Sequence, residues 1–136
     1  MSFTEAIKSV FTQYIGFKGR ARRSEYWYFF LLNIIVGIIL AGVPTYLTYS
    51  IGGYSSMANI FNILNRVWNI GTFLPGLAVA FRRLHDAGKS GWCVLFAIIP
   101  IIGWIPLLIW LTKDSDPGDN PYGPNPKGNN GPYYQY

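Results

Sequence analysis

The residues best suited to chemistry lie in a short polar loop, 82–91, between two apolar runs. The loop contains Arg82, Arg83, His85, Asp86 and Lys89, and His85 is the only histidine of the chain. On a helix end, Arg82, His85 and Asp86 share one face through i, i+3 and i+4 spacing. A histidine beside a carboxylate can act as a general base near neutral pH, and arginines can hold a phosphate.

The same loop has two simpler interpretations. It could bind an anionic lipid or ligand, or it could serve structure alone. In the structural interpretation it orients the chain in a membrane, ends a helix at Gly88 and contains an ion pair between Asp86 and an arginine. Ser90 is the nearest hydroxyl, but nothing in the sequence marks it as a nucleophile. We therefore predict no catalytic residue and expect the protein not to be an enzyme.

A second basic cluster precedes the first apolar run. Arg20, Arg22 and Arg23 lie close together and are followed by Glu25. A cluster of this kind suits a surface of anionic lipid head groups. If both clusters lie at the same face of a membrane, Glu25 is predicted to pair with an arginine of the 82–91 loop.

The composition indicates a small integral membrane protein. The 136 residues have room for one domain, only 12% of them are charged, and 18% are aromatic. The apolar residues lie in long blocks, which favours a bundle of membrane helices. The net charge of +5 flanks these blocks, where it can meet anionic head groups. No recognition motif accompanies the charge, so we predict no nucleic-acid partner.

Metal and cofactor motifs are missing from the sequence. One histidine and one cysteine are too few for the three or four ligands of a zinc site. The acidic stretch 114–119 lacks the glycine and glutamate positions of a calcium loop, and phosphate-binding glycine fingerprints are also missing. We predict no metal and no cofactor.

Residues 2–15 follow the pattern of an amphipathic helix. Apolar residues recur at i, i+4, i+7, i+8 and i+11 counted from Phe3. Ser2 and Glu5 have the spacing of a capping box, which satisfies free amides at a helix start. Such a helix could lie in the membrane interface or pack on the protein's own bundle, and the sequence does not favour either.

Three apolar runs are predicted to be transmembrane helices. The first, 26–47, is long enough at 1.5 Å per residue to cross a hydrocarbon core of about 30 Å. The second reaches this length only as 59–81 and then includes Arg66. The third, 92–111, contains two prolines and a glycine. A single kinked crossing is favoured for it over a re-entrant hairpin.

The second run has a polar stripe made of Asn62, Asn65, Arg66 and Asn69 on one helical face. An ionisable group within a membrane suggests a function, here a polar path in a small transporter or channel subunit. The simpler interpretation, which we favour, is that Arg66 extends to the interface and the asparagines bond between helices.

The chain divides into three regions with different compositions. Residues 1–25 are the amphipathic helix and basic segment, 26–111 the transmembrane domain, and 112–136 a tail rich in Gly, Pro and Asn that is predicted to be largely disordered. Residues 1–25 and 82–90 hold eight of the eleven lysines and arginines. With three crossings, the positive-inside rule predicts a cytoplasmic N-terminus and an external C-terminus.

Three motifs in this order resemble the DUF805 family of small bacterial inner-membrane proteins. They are GFKGRARRSEYW at 16–27, RRLHDAGKSGW at 82–92 and DNPYGPNP at 119–126. The resemblance covers roughly residues 3–126 and implies a bacterial or phage-borne inner-membrane protein with a helical bundle. The family has no established biochemical activity, so the resemblance implies a location and leaves the function open.

These observations predict an all-α integral membrane bundle with a non-enzymatic role. It is expected to bind a protein partner or anionic lipid head groups through its basic cytoplasmic face, and a homo-oligomer is also possible. One alternative is the transporter or channel subunit with Arg66 in its path. Another is a lipid-modifying enzyme that uses His85 and Asp86.

Overall fold

The computed structural model describes residues 1–52 and 56–128, and the extended elements of regular secondary structure in these residues are all helices. The prediction of an all-α fold is therefore confirmed for this part of the chain. The five α-helices are α1 (Phe3–Thr12), α2 (Arg23–Gly37), α3 (Val43–Ile51), α4 (Ser56–Asp86) and α5 (Trp104–Thr112). A π-helix (Ile38–Gly42) joins α2 to α3, and a 3-10 helix (Gly91–Ile98) precedes α5.

The first helix, α1, begins with the predicted capping box. The Ser2 hydroxyl accepts from the Glu5 amide at 3.2 Å, and the Glu5 carboxylate accepts from the Ser2 amide at 2.8 Å. Two free amides of the first turn are thus satisfied by side chains. Ala6 and Val10 are fully buried, so one face of α1 packs on the bundle.

This helix packs against α2. Phe3 packs edge-on against Tyr28, and Phe11 packs edge-on against Phe29. Aromatic side chains near both ends of α1 therefore hold it on α2.

The segment Arg23–Ile51 is one continuous helix of 29 residues that contains the predicted span 26–47. Among the described residues it is the one helix both long and apolar enough to cross a membrane. The π-helix lies just before Pro44, which has no N–H to donate to the Leu40 carbonyl and would clash with a regular helical turn. The wider π turn accommodates this proline.

The longest helix, α4, has 31 residues and contains the predicted span 59–81. Pro75 lies inside it and cannot donate to the carbonyl of Gly71, one turn earlier. The hydroxyl of Tyr14, just beyond the end of α1, donates to this carbonyl instead. The N-terminal segment therefore satisfies a backbone group that the proline leaves free.

The third apolar run folds back on itself. The 3-10 helix and α5 are joined by a turn in which Ile101 adopts a left-handed φ of 64°. The Trp104 indole donates to the Ala97 carbonyl at 2.9 Å, and the Trp110 ring packs on Phe96 with 5.5 Å between centroids. The two halves of the run thus lie against each other as a helical hairpin.

Both ends of this hairpin meet the C-terminal end of α4. Gly91 lies so close to Phe81 that a Cβ there would be 2.1 Å from a ring carbon, and the Leu111 carbonyl accepts from Arg83 at 3.1 Å. The predicted single kinked crossing, and with it the set of three crossings, is therefore corrected. The prolines and glycines divide the run into helices of eight and nine residues, each too short to cross a bilayer.

Residues 113–128 also pack on this end of α4. The Asp116 amide donates to the Asp86 carbonyl, and the Asn120 side chain donates to the His85 carbonyl, each at 2.9 Å. The prediction of a largely disordered tail over 112–136 is thus corrected for 113–128, and 129–136 lie outside the described residues. Polar contacts with buried arginines, rather than apolar burial, hold this segment, so its polar composition does not prevent order.

Candidate functional site

The motif at the end of α4 is positioned by a glycine turn. The helix ends at Asp86, and Gly88 adopts a left-handed φ of 74°, which confirms the predicted helix stop. Arg82 and Arg83 are neighbours, so their side chains leave α4 in directions about 100° apart. One guanidinium reaches α2 and the other reaches the hairpin and the tail.

Asp86 is the anionic centre of a buried cluster. Its side chain is completely inaccessible to solvent and accepts from Arg20 Nε at 2.9 Å, from Arg83 Nη1 and from the Ser115 hydroxyl at 2.5 Å. The predicted ion pair between Asp86 and an arginine is confirmed, and there are two such arginines. A buried carboxylate of this kind is stable only because charged donors surround it.

Backbone carbonyls satisfy the rest of the two guanidinium groups. Arg20 donates to the Gly118 and Asp116 carbonyls, both at 2.7 Å. Arg83 donates to the carbonyls of Leu111 at 3.1 Å and Ala21 at 3.2 Å, and also to that of Lys113. Through these bonds the cluster ties together the segment before α2, the end of the hairpin and the tail.

Glu25 pairs with an arginine of the 82–91 loop, as the sequence predicts. Its Oε1 accepts from Arg82 Nη1 at 2.7 Å and from the Ser9 hydroxyl at 3.0 Å, so it links α1, α2 and α4. Glu25 and Arg82 are both buried. The Nε and Nη2 atoms of Arg82 have no hydrogen-bond partner among the described residues. Arg82 is therefore the least satisfied member of the cluster.

His85 is held away from Asp86. Its Nδ1 is 2.9 Å from the Gly19 carbonyl, and its ring stacks on Tyr122 with 4.2 Å between centroids and 2° between planes. The Asp86 carboxylate is meanwhile bound by Arg20, Arg83 and Ser115. The spacing that would make a histidine–carboxylate pair is present in the sequence, but the fold directs the two side chains to different partners.

The nine candidate binding residues divide by exposure. The fold buries Arg20, Glu25, Arg82, Arg83 and Asp86, leaves His85 and Arg22 partly buried, and exposes Arg23 and Lys89. Five of the nine are therefore unavailable to a lipid surface, and their polar atoms hold the fold together. We name the six exposed cations at this end of the bundle the basic face: Lys8, Lys18, Arg23, Lys89, Lys113 and Lys127.

Carboxylates on the basic face are fewer than its cations. Glu5, Asp114 and Asp119 are exposed there. The pKa of Asp114 is lowered, first by the hydrogen bond from Lys127 and further by the Ser115 amide and Arg23. Asp114 thus stays ionised at neutral pH. Lys89 lies over the Trp110 ring at 5.5 Å, a cation–π geometry that leaves its charge exposed.

The polar stripe of α4 lies at the surface of the chain. Asn62, Arg66 and Asn69 are exposed and Asn65 is partly buried. Asn69 Nδ2 donates to Asn65 Oδ1 at 3.3 Å along the same helix. The residues that the structure describes therefore do not enclose the stripe.

Sequence reasoning missed the acceptors of the cluster. Backbone carbonyls have no sequence signature, so the contacts of Arg20 and Arg83 with residues 111–118 were not foreseen. Tyr122 and Asn120, which contact His85, lie within the motif at 119–126. The spacing of that motif was the one available signal that the tail belongs to the site.

No group of three or more His, Cys, Asp or Glu side chains that could hold a metal occurs among the described residues. The site is instead an assembly of arginines, carboxylates and backbone carbonyls. Its buried side chains form ion pairs with one another, and its exposed cations form the basic face.

Comparison with known proteins places this architecture in a family. Residues 14–124 match the family described as "Protein of unknown function (DUF805)". The chain is 42% identical over 119 residues to "Inner membrane protein YhaH" of Escherichia coli strain K12, covering 87% of this chain and 93% of that protein. It is 44% identical over 120 residues to "Inner membrane protein YhaI" of the same strain, covering 88% and 92%. No solved structure matches. The chain belongs to the DUF805 family of helical inner-membrane proteins.

Proposed function

We propose that this protein is a non-enzymatic component of the bacterial inner membrane that binds the head groups of anionic lipids through its basic face. The observation that carries the proposal is the segregation of charge. Of eleven lysines and arginines, all but Arg66 lie in segments that meet at the C-terminal end of α4. Cations next to a membrane contribute about 1 kcal/mol each to the attraction of anionic lipids.

The same segregation supports an orientation. Both termini of the described chain lie with the basic face, because the hairpin returns to the end of α4 from which it starts. By the positive-inside rule this end is cytoplasmic, so we propose a cytoplasmic N-terminus and a cytoplasmic C-terminus. The external C-terminus expected from three crossings is replaced by this topology.

The hairpin fits a re-entrant position. Its two helices are about 14–16 Å long, roughly half of a hydrocarbon core of about 30 Å. Its tip exposes Ile98, Ile101 and Ile102. These residues would be costly in water and are suited to lipid tails. We propose that Arg23–Ile51 crosses the membrane and that Ser56–Asp86, which is less apolar but has 31 residues and packs against α2 and α3, returns across it. The hairpin then enters and leaves the cytoplasmic leaflet.

The transport alternative has weaker support. Arg66 precedes Asp86 by twenty residues of α4, which corresponds to about 30 Å along the axis. If Asp86 lies at the cytoplasmic surface, Arg66 reaches the opposite surface, where an arginine extends into the head groups. The enzyme alternative requires His85 and Asp86 to act together, and their separate partners do not support it.

Lipid preference tests the proposal. The chain, purified in a non-ionic detergent, is mixed with equal amounts of phosphatidylglycerol and phosphatidylcholine, and the retained lipids are quantified. We expect several-fold enrichment of phosphatidylglycerol that declines with salt. Lys18→Gln with Lys89→Gln should reduce the enrichment, and the charge-preserving Lys18→Arg with Lys89→Arg should keep it. Equal retention of the two lipids would refute the proposed function.

Topology is tested separately. A reporter that is active only in the cytoplasm, fused after Tyr136, should be active, as should the same reporter fused before Met1. An inactive C-terminal fusion with an active N-terminal fusion would mean that the third apolar run crosses the membrane.

A further inference from the structure

An open cavity of about 510 Å³ lies where the start of α2 meets the tail. It is lined by Met1, Arg22, Arg23, Ser24 and Lys127. Three of these five residues are cationic side chains, and none is acidic. The cavity is on the same end of the bundle as the basic face but is separate from the buried cluster around Asp86.

The cationic side chains of this cavity are held in place by the tail. Arg22 donates from Nε at 2.9 Å and from Nη2 at 2.7 Å to the Pro126 carbonyl. These two bonds fix the plane of the guanidinium, and its Nη1 has no partner among the described residues. A guanidinium fixed in this way loses little freedom when it binds an anion.

The other two cations of the cavity share one carboxylate. Asp114 forms ion pairs with Lys127 and with Arg23, whose Nη2 lies 3.5 Å away. Arg22, Arg23 and Lys127 therefore carry three positive charges against two nearby carboxylates, Asp114 and Glu5, the second of which interacts with Arg22. Arg23 remains about half exposed, with 46% of its side chain accessible, so its guanidinium can also face a ligand.

The start of α2 adds a favourable field. Arg22 is the residue that caps the helix, and its side chain makes no hydrogen bond to the first-turn amides. The acidic residue of this turn, Glu25, is bound to Arg82 and Ser9 instead. The partial positive charge of a 15-residue helix is thus directed at the cavity without a side-chain acceptor.

From these contacts we infer that the cavity binds a phosphate group, and that the phosphate belongs to an anionic phospholipid head group. Exposed apolar side chains begin on α2 at Phe30 and Leu31, about 10 Å along the helix from Arg23. A lipid with its phosphate in the cavity would lay its acyl chains on these residues. The inference rests on the proposed function and assigns it one site.

Binding of soluble probes to the full chain in detergent tests this site. The probes are dihexanoyl phosphatidylglycerol below its micelle concentration, dihexanoyl phosphatidylcholine and inorganic phosphate, measured by calorimetry at 0.15 M salt. Arg23→Gln and Lys127→Gln should each weaken phosphatidylglycerol binding about five- to tenfold. The matched control Arg66→Gln removes the same charge outside both the cavity and the basic face, and it should change binding by less than about twofold. Lys18→Gln and Lys89→Gln lie on the basic face outside the cavity, and each should weaken binding less than the cavity variants do.

Each outcome decides a different point. Phosphatidylglycerol binding that depends on Arg23 and Lys127 supports the lipid site. If inorganic phosphate binds equally strongly with the same dependence, the ligand is a soluble phosphate and the assignment to a lipid head group is refuted. Losses as large in Lys18→Gln and Lys89→Gln as in the cavity variants overturn the cavity, while the basic face survives. No preference for phosphatidylglycerol over phosphatidylcholine in the wild-type chain overturns the proposed function itself. A thermal unfolding scan of each variant separates lost binding from lost folding.

Discussion

The most decisive perturbation of this fold is the loss of one negative charge at Asp86. The substitution Asp86→Asn keeps the size of the side chain but replaces an acceptor oxygen by an amide that donates. Arg20 and Arg83 would then face each other across a neutral group, and the Ser115 hydroxyl would lose its charged acceptor. Removing one partner from a buried ion pair typically costs about 3–5 kcal/mol. We expect the loss in the free energy of unfolding to lie within this range, because Asp86 is completely buried and solvent does not screen the change.

The expected cost converts directly into an observable. At about 1.4 kcal/mol per tenfold change, it shifts the unfolding equilibrium by roughly two to three and a half orders of magnitude. Reversible unfolding in mixed micelles, followed by tryptophan fluorescence, measures this shift. Trp27 is a suitable reporter because its indole donates to the Leu111 carbonyl at 3.2 Å and so senses whether the hairpin is docked.

The matched control is Asp119→Asn, which makes the same chemical change at an exposed carboxylate of the same tail. It should alter the free energy of unfolding by less than about 0.5 kcal/mol. If Asp86→Asn differs from Asp119→Asn by less than about 1 kcal/mol, Asp86 does not balance the buried arginines and the reasoning about the cluster fails.

Two further substitutions test other contacts. Tyr14→Phe removes the donor to the Gly71 carbonyl and should lower the free energy of unfolding by about 1–3 kcal/mol. The control Tyr28→Phe should leave the free energy of unfolding unchanged. Equal effects of the two substitutions would contradict the role given to the Tyr14 hydroxyl. Arg82→Met and Glu25→Gln should each destabilise the fold, but their double variant should lose about 1–3 kcal/mol less than the sum. Additive losses in this cycle would mean that the two side chains are not coupled.

Local sequence signals were sufficient for several elements. The capping box of Ser2 and Glu5 and the helix stop at Gly88 depend on residues within one turn of each other, and both are present. The pairing of Glu25 with an arginine of the 82–91 loop was also predicted, since charges of opposite sign that leave water at the same face must meet. These predictions needed no knowledge of which helices are neighbours.

The third apolar run was predicted less well for a physical reason. Its hydropathy is the same whether it crosses a membrane or turns back, so composition does not distinguish the two paths. The path of the run depends on what binds its C-terminal end. Here Arg83 holds that end near α4 by donating to the Leu111 and Lys113 carbonyls. The order in residues 113–128 has the same origin, since Arg20 binds the backbone at Asp116 and Gly118.

From the sequence alone one could deduce an all-α membrane protein with a basic end, because apolar blocks and flanking charges follow from each residue's own preference for lipid or water. Only the tertiary structure decided which cations remain exposed to a lipid surface. The same residue type is buried and bound to backbone carbonyls at Arg83, and half exposed beside a surface carboxylate at Arg23. That difference comes from backbone carbonyls brought together by the fold, and carbonyls are common to every residue, so no sequence pattern marks them in advance.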